Sequence, residues 1–142
     1  MSRKLEVLKT VIAAWTAGDI DGVLVHMHEE IVWHYAAAVA PPVRGKAKAR
    51  RFLEAFKAQL RDVRWRLFDH AESGDRLFVE GVDEYTATDG AVVRAPYAGV
   101  LEFDGDLIVG WRDYVDMGVM QTQRGGGAAS DWVLSLVDRP PI

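Results

Sequence analysis

The 142-residue sequence contains no cysteine, so it has neither a disulfide framework nor a cysteine-based metal site. It has no apolar run near the roughly 20 residues that a membrane-spanning helix needs, and no secretory leader is visible. Acidic residues outnumber basic ones, 21 to 17, whereas nucleic-acid-binding domains usually carry a basic excess. These absences predict a cytoplasmic protein with no nucleic-acid partner and no membrane partner.

Hydrophobic residues make up 49% of the chain, which is enough for one domain of this length to bury a core. We predict that residues 1–120 form that domain and that residues 121–142 form a glycine-rich C-terminal tail. Gly125–Gly127 make the start of this tail flexible by composition. Asp131–Leu134 is apolar again, so this segment is expected to pack back on the domain, to cover a pocket or to contact another subunit.

The residue pattern in the first half of the chain predicts three helices and one strand. Apolar residues from Leu5 to Trp15 recur at steps of three and four, which is typical of an amphipathic helix. Asp19 can cap a second helix that runs to about His28, and Lys46–Leu60 shows the helical pattern again. The β-branched and aromatic segment Glu30–Tyr35 is typical of a strand.

Four strands follow almost without interruption. Their predicted ranges are 63–70, 76–87, 92–103 and 106–116, and turn residues such as Asp104-Gly105 separate them. Helices followed by an antiparallel meander predict an α+β fold, with the helices on one face of the sheet. The outer face of this sheet carries apolar side chains, which favours a homodimer through that face. These side chains are Phe78, Val82, Ile108 and Tyr114.

Two aspartates interrupt the apolar face of the sheet. Side chains alternate along a strand, so Asp83 shares a face with Val79 and Tyr85, and Asp113 shares one with Trp111 and Val115. A buried carboxylate is costly unless it has a partner, and burial raises its pKa towards the range of a general acid or base. A single such residue is more often structural, because it caps a turn or pairs with an arginine. Two on the core-facing side favour a functional site.

Turn geometry predicts how the two acids face each other. A turn centred on Asp89 places Asp83 opposite Ala95, and it places Tyr97 opposite Gly81. A turn centred between Asp104 and Gly105 places Ala95 opposite Tyr114. The two acids are then expected at nearly equal height, two strands and roughly 10 Å apart.

Aromatic and aliphatic residues share the predicted inner face with the two acids. This lining suits a small hydrophobic ligand, although each aromatic taken alone fits ordinary core packing equally well. The expected ligand-binding residues are Trp33, Trp65, Leu67, Tyr85, Ala95, Trp111 and Val115. His26 and His28 are two residues apart and point to different faces of a helix, so we expect no metal site. We also expect no cofactor.

The segment Gly110–Met117, with its Trp-Arg-Asp-Tyr-x-Asp motif, resembles the final strand of limonene-1,2-epoxide hydrolases. These proteins belong to the SnoaL-like, nuclear-transport-factor-2-like (NTF2-like) superfamily, and the order of elements over residues 3–117 is similar. The resemblance implies a cone-shaped, cystatin-like fold, in which three N-terminal helices pack on a strongly curved, mixed or antiparallel sheet. That fold hosts hydrolases, isomerases, cyclases and binding modules.

In those hydrolases an Asp-Arg-Asp arrangement and a Tyr/Asn pair position water and protonate the epoxide oxygen. The resemblance places the two acids at Asp83 and Asp113. The arginine falls on Gly81, and the Tyr and Asn fall on Trp33 and Tyr35, so this chain lacks those three groups.

The sequence therefore predicts an enzyme that performs general acid/base chemistry on a small hydrophobic molecule. Asp83 and Asp113 would transfer the protons, with help from Tyr97, in the place of the missing arginine, or from Tyr35. The reaction is either epoxide hydrolysis or an isomerisation or cyclisation by proton abstraction beside a carbonyl. A binding module without turnover is the alternative from another class.

Overall fold

The computed structural model describes residues 2–142, which form five helices and seven strands on one curled sheet. In chain order these are α1 (Arg3–Thr16), α2 (Ile20–Leu24), β1 (Met27–His34), β2 (Val43–Arg44), α3 (Lys46–Gln59), β3 (Leu60–Arg61), β4 (Arg66–Ser73), β5 (Arg76–Ala87), β6 (Val92–Asp104), β7 (Leu107–Val115), α4 (Met117–Arg124) and α5 (Asp131–Val137). The predicted α+β class and its three N-terminal helices are confirmed. None of the helices within residues 2–142 is long and apolar enough to cross a membrane.

Side chains cap the first two helices, and strand pairing limits the second. The Ser2 hydroxyl accepts a hydrogen bond from the backbone N–H of Leu5, and the Asp19 carboxylate accepts one from that of Gly22. The prediction that α2 continues to His28 was wrong, because β1 already begins at Met27. The backbone N–H of Ile108 donates to the carbonyl of His26, so pairing with β7 replaces the helical hydrogen bonds.

The strands pair in the order β2-β1-β7-β6-β5-β3, and β4 also pairs with β5. β1 runs parallel to β7, and every other pair is antiparallel, so the sheet is mixed. The hairpins β5–β6 and β6–β7 place three long strands side by side at its centre. These three strands carry both predicted acids.

Two bulges contribute to the curvature of the sheet and change which side chains face inward. In β7 the pairing shifts between Glu102 and Phe103, so that Val109 is an extra residue. In β4 the pairing shifts between Leu67 and Asp69, which makes Phe68 the extra residue. A bulge reverses the alternation of side chains and increases the local twist.

The bulge in β7 overturns one predicted orientation. Ile108 was expected on the outer face, but it pairs with Phe103, is fully buried and belongs to the main core. That core fills the space between the concave face of the sheet and α1, α2 and α3. Its largest fully buried side chains are Leu8, Ile31, Leu77, Leu101 and Ile108.

The C-terminal segment docks on the outer face of the sheet. Val133 and Val137 of α5 are buried there against Phe68 and Val82. The predicted boundary after residue 120 falls inside α4. Of the apolar residues expected on the outer face, Val82 is thus covered by the chain itself, while Phe78 and Tyr114 remain exposed. The homodimer through this face stays a prediction.

Candidate active site

A cavity of about 280 Å³ lies between the concave face of the sheet, the N-terminal helices and α4. It receives both predicted acids and most of the predicted wall, namely Asp83, Asp113, Trp33, Tyr35, Trp65, Tyr85, Tyr97, Trp111 and Val115. Leu67 and Ala95 do not line it. Leu67 packs in the main core, and Ala95 packs beside Tyr85 and Val93 in a smaller cluster.

The predicted pairing is right for one hairpin and wrong for the other. Asp83 lies opposite Ala95, and Gly81 lies opposite Tyr97, as the turn around Asp89 predicts. In the next hairpin Asp104 itself pairs with Leu107, so the loop is Gly105-Asp106, and Gly105 takes a φ of +60°.

This loop and the bulge in β7 move Asp113 along the sheet. It lies opposite Gly99 instead of beside Ala95. The equal height expected for the two acids is therefore wrong. Their levels differ by four residues along β6, or roughly 13 Å.

Tyr97 lies between the two acids. Its direct partners are Gly81 on β5 and Val115 on β7. Asp83 is two residues beyond Gly81, and Asp113 is two residues before Val115, so each acid is a diagonal neighbour of Tyr97 on the same face. Tyr97 thus lies between two acidic residues that do not face each other directly.

Two glycines create the space for this arrangement. A Cβ atom on Gly81 would lie 3.0 Å from Cε1 of Tyr97. A Cβ atom on Gly99 would lie 3.3 Å from Cε2 of the same ring and 2.9 Å from Oδ1 of Asp113. The ring and the carboxyl group therefore occupy volume that any other residue type at these positions would fill.

Two tryptophans hold the polar atoms in place. Nε1 of Trp65 donates a 2.6 Å hydrogen bond to the hydroxyl oxygen of Tyr97. Nε1 of Trp111 donates a 2.9 Å hydrogen bond to Oδ1 of Asp113. The two indole rings pack against each other, with centroids 5.9 Å apart. The aromatic wall therefore supplies oriented donors as well as apolar surface.

Both carboxyl groups have raised pKa values. Burial raises the pKa of Asp83 from 3.8 to about 6. Burial likewise raises the pKa of Asp113 to about 8; the hydrogen bond from Trp111 opposes this shift and the nearby charge of Asp83 adds to it. Within residues 2–142, neither carboxylate forms a salt bridge. At pH 7 Asp83 is thus mostly ionised, and Asp113 is mostly protonated.

The two tyrosines proposed for catalysis differ in their surroundings. Burial, together with the charge of Asp113, raises the pKa of Tyr97 well above its usual value, so this side chain remains a neutral donor. Tyr35 lines the cavity within an aromatic cluster, and its ring centroid lies 4.3 Å from that of Phe52. It directly follows β1, whose His34 pairs with Arg112 of β7, so Tyr35 lies close to the level of Asp113.

Sequence reasoning missed the contribution of α4. Met117, Met120 and Arg124 of this helix line the cavity, although residues 121–142 were expected to form a glycine-rich tail. Their spacing of three and four residues is the helical signal that could have revealed them. Asp116 caps the helix by accepting from the backbone N–H of Val119.

Solved structures of low sequence identity share this fold. An NTF2-like protein of unknown function from Burkholderia pseudomallei is 18% identical over 98% of this chain and 100% of its own, with a TM-score of 0.74. An LEH-like epoxide hydrolase from M. tuberculosis is 19% identical over 96% and 97% of the two chains, with a TM-score of 0.77. A protein assigned as a SnoaL-like polyketide cyclase, from Shewanella putrefaciens, is 13% identical over 89% and 98%, with a TM-score of 0.79.

No curated protein sequence matches the chain significantly. The SnoaL-like domain family, in contrast, matches residues 8–111, from Leu8 within α1 to Trp111 within β7. The family match and the shared architecture agree with the order of elements and with the cavity described above. The chain therefore belongs to the SnoaL-like domain family and has the NTF2-like fold.

Proposed function

We propose that this protein is an enzyme that transfers protons on a small, mainly hydrophobic substrate. The observation that carries the proposal is the placement of Asp83 and Asp113 in one apolar cavity, on either side of Tyr97 and without a cationic partner within residues 2–142. Burying two unpaired carboxyl groups is costly, and a folded protein has little structural reason to do so. Perturbed acids in a cavity are typical of catalytic sites.

The environments of the two acids assign their roles. Asp83, with a pKa of about 6, is the base near neutral pH, and Asp113, with a pKa of about 8, is the acid. Tyr97 supplies a second neutral donor. Because Trp65 donates to its oxygen, the hydroxyl proton of Tyr97 points elsewhere and can reach the substrate.

One base and two neutral donors best fit proton abstraction beside a carbonyl group. The carboxylate of Asp83 takes the proton from the carbon next to the carbonyl, and the electron pair of that C–H bond forms the enolate. Asp113 and Tyr97 donate hydrogen bonds to the enolate oxygen. Return of the proton to another carbon completes an isomerisation. In a cyclisation the enolate carbon attacks a second carbonyl of the substrate, and the alkoxide formed when that C=O π bond breaks takes the proton back from Asp83.

Epoxide hydrolysis is the second candidate, supported by the Trp111-Arg112-Asp113-Tyr114 motif. Asp83 would take a proton from water, the water oxygen would attack an epoxide carbon, and Asp113 would protonate the oxygen released when the C–O bond breaks. The M. tuberculosis structure described as an epoxide hydrolase has the same fold. Gly81 in place of an arginine, and Trp33 and Tyr35 in place of a water-holding pair, make this reaction the weaker fit.

Two substrate probes separate the candidates. Cyclohex-3-enone converts to its conjugated isomer by proton transfer, which ultraviolet absorbance follows. 1-Methylcyclohexene oxide in ¹⁸O-labelled water gives a labelled diol, which mass spectrometry detects. Asp83→Asn and Asp113→Asn should each lower the active reaction by at least about 100-fold while the fold and ligand affinity are kept.

Asp75→Asn, in the exposed turn between β4 and β5, is the matched control and should leave the rate unchanged. Equal rates in the wild type and both cavity variants would refute the proposal. Binding of the probes without turnover of either would favour a non-catalytic binding module instead.

A further inference from the structure

The cavity has one charged side chain that the acid/base chemistry does not use. Arg124, in the last turn of α4, lines the cavity, and it is the only cationic residue to do so within residues 2–142. Its guanidinium group lies beside the hydroxyl group of Tyr85, where it opposes the rise in the pKa of Tyr85 that burial causes. The side chain is exposed overall, so it borders the mouth of the cavity.

The helix that carries Arg124 is fixed to the sheet. β7 ends at Val115, which leaves the edge of β6 beyond Tyr97 without a neighbouring strand. The side-chain amide of Gln123 takes that place: Oε1 accepts from the backbone N–H of Arg94, and Nε2 donates to its carbonyl oxygen at 3.1 Å. Gln123 is 4% exposed, so this contact anchors α4 in a buried position.

The pairing register of the strands gives the order of the polar residues along the sheet, starting from Tyr85 beside Arg124. Tyr85 pairs with Val93 on the first level, and Asp83 follows one level deeper, roughly 7 Å further along the strand. Tyr97 lies beyond Asp83, and Asp113 lies furthest from Tyr85 in this order along the sheet. Arg124 therefore lies beside Tyr85, whose position on β5 is two residues from that of Asp83.

We propose that Arg124 binds the carboxylate of the substrate, so that the substrate class is an aromatic or alicyclic carboxylic acid whose ring enters the cavity towards Asp83 and Tyr97. A guanidinium group at the mouth of an otherwise apolar, acid-containing cavity selects an anion at that end. The apolar side chains of Met117 and Met120, on the same face of α4, contact the ring. The inference rests on the proposed function, in which Asp83, Tyr97 and Asp113 transfer protons on the part of the substrate that lies away from Arg124.

Binding measurements with a matched pair of ligands test this assignment without turnover. 1-Naphthaleneacetate and 1-naphthaleneacetamide have nearly the same shape, but only the first is charged at pH 7. Isothermal titration calorimetry should show that the wild type binds the carboxylate about tenfold more tightly than the amide, the low end for a charge-assisted hydrogen bond. Arg124→Gln should remove this preference.

Arg51→Gln is the control, because Arg51 is exposed on α3 and does not line the cavity, and the net charge changes equally. It should keep the preference. The assignment would be overturned if Arg124→Gln still preferred the carboxylate over the amide. It would also be overturned if the wild type had no such preference or bound neither ligand.

Asp113→Asn separates this inference from the proposed function. Asp113 is protonated at pH 7, so the variant should lose turnover but keep the preference for the carboxylate. If the preference does not depend on Arg124 while the aspartate variants still lose turnover, only the anion site is refuted. If the preference depends on Arg124 but the aspartates do not affect turnover, only the catalytic proposal is refuted.

Discussion

The indole N–H of Trp65 donates a 2.6 Å hydrogen bond to the hydroxyl oxygen of Tyr97. This contact uses one acceptor site of the oxygen and leaves the hydroxyl proton free for another partner. Tyr97 lies between the two carboxyl groups, where the resemblance to the hydrolases would place an arginine. Trp65 thus restrains the orientation of the Tyr97 hydroxyl group.

Tyr97→Phe should lower turnover by about 100-fold, because it removes a donor that acts on the developing oxyanion. Trp65→Phe should lower it by about tenfold, since the hydroxyl group remains but is no longer held in one direction. Steady-state kinetics should show both losses mainly in kcat, not in KM. Tyr114→Phe, exposed on the outer face, is the control. An unchanged rate in Tyr97→Phe would remove this residue from the mechanism.

The raised pKa of Asp113 predicts that stability falls as the pH rises. Its pKa is about 8 in the folded chain against 3.8 in the unfolded chain, so the folded state binds the proton more tightly between these values. The stabilisation is fully present below pH 4 and is lost progressively up to about pH 8. Asp83 adds a smaller loss of stability, which occurs between about pH 4 and pH 6.

Asp113→Asn keeps an acceptor for Trp111 but cannot ionise. Its free energy of unfolding should therefore exceed that of the wild type at pH 9, by several kcal/mol, since each pKa unit is worth about 1.4 kcal/mol. At pH 4 the two proteins should be nearly equal. Urea denaturation at both pH values measures the difference, with Asp75→Asn as the control. Parallel pH profiles for the wild type and Asp113→Asn would contradict the assignment.

Alternation along the strands was sufficient to place both acids on the inner face, because it depends only on local geometry. The distance between them was not predictable in the same way. Val109 is an extra residue in β7, and the sequence around it has no signal that distinguishes a bulge from regular pairing. One inserted residue and a loop shifted to Gly105-Asp106 moved Asp113 away from the expected level.

The C-terminal segment shows a different limit of sequence reasoning. The run of Gly125, Gly126 and Gly127 correctly indicates a break, but composition says nothing about the contacts on either side of it. Gln123 replaces a missing strand partner of Arg94, and α5 buries two valines on the sheet. These are tertiary contacts, and they override a weak local pattern.

Gly99→Ala should disturb the acid without unfolding the protein. The added methyl group would lie 2.9 Å from Oδ1 of Asp113, so the carboxyl group must turn away from the indole N–H of Trp111. We expect turnover to fall by at least about tenfold, because misplacing a proton donor by about 1 Å is costly. Nuclear magnetic resonance should also show a shifted indole N–H signal for Trp111.

Gly110→Ala is the matched control, since a Cβ atom there makes only ordinary contact, at 3.4 Å, with the side chain of Glu102. It should change neither the rate nor the indole signal. A fully active Gly99→Ala variant would mean that the observed orientation of Asp113 is not required.

Restoring the arginine of the hydrolases at position 81 should fail for a steric reason. A Cβ atom on Gly81 would lie 2.4 Å from the backbone carbonyl oxygen of Arg66, which cannot move without breaking the pairing of β4 with β5. The same atom would lie only 3.0 Å from the ring of Tyr97.

Even Gly81→Ala should cost about 1 to 3 kcal/mol of stability, and Gly81→Arg should cost more. Thermal denaturation should rank Gly81→Arg below Gly81→Ala and both below Gly110→Ala. A stable Gly81→Arg variant that opens 1-methylcyclohexene oxide would show that the close approach of β4 is adjustable and that Tyr97 does not replace the arginine. A destabilised variant without this activity would agree with the steric exclusion of an arginine at position 81 and with the proposal that Tyr97 takes its place.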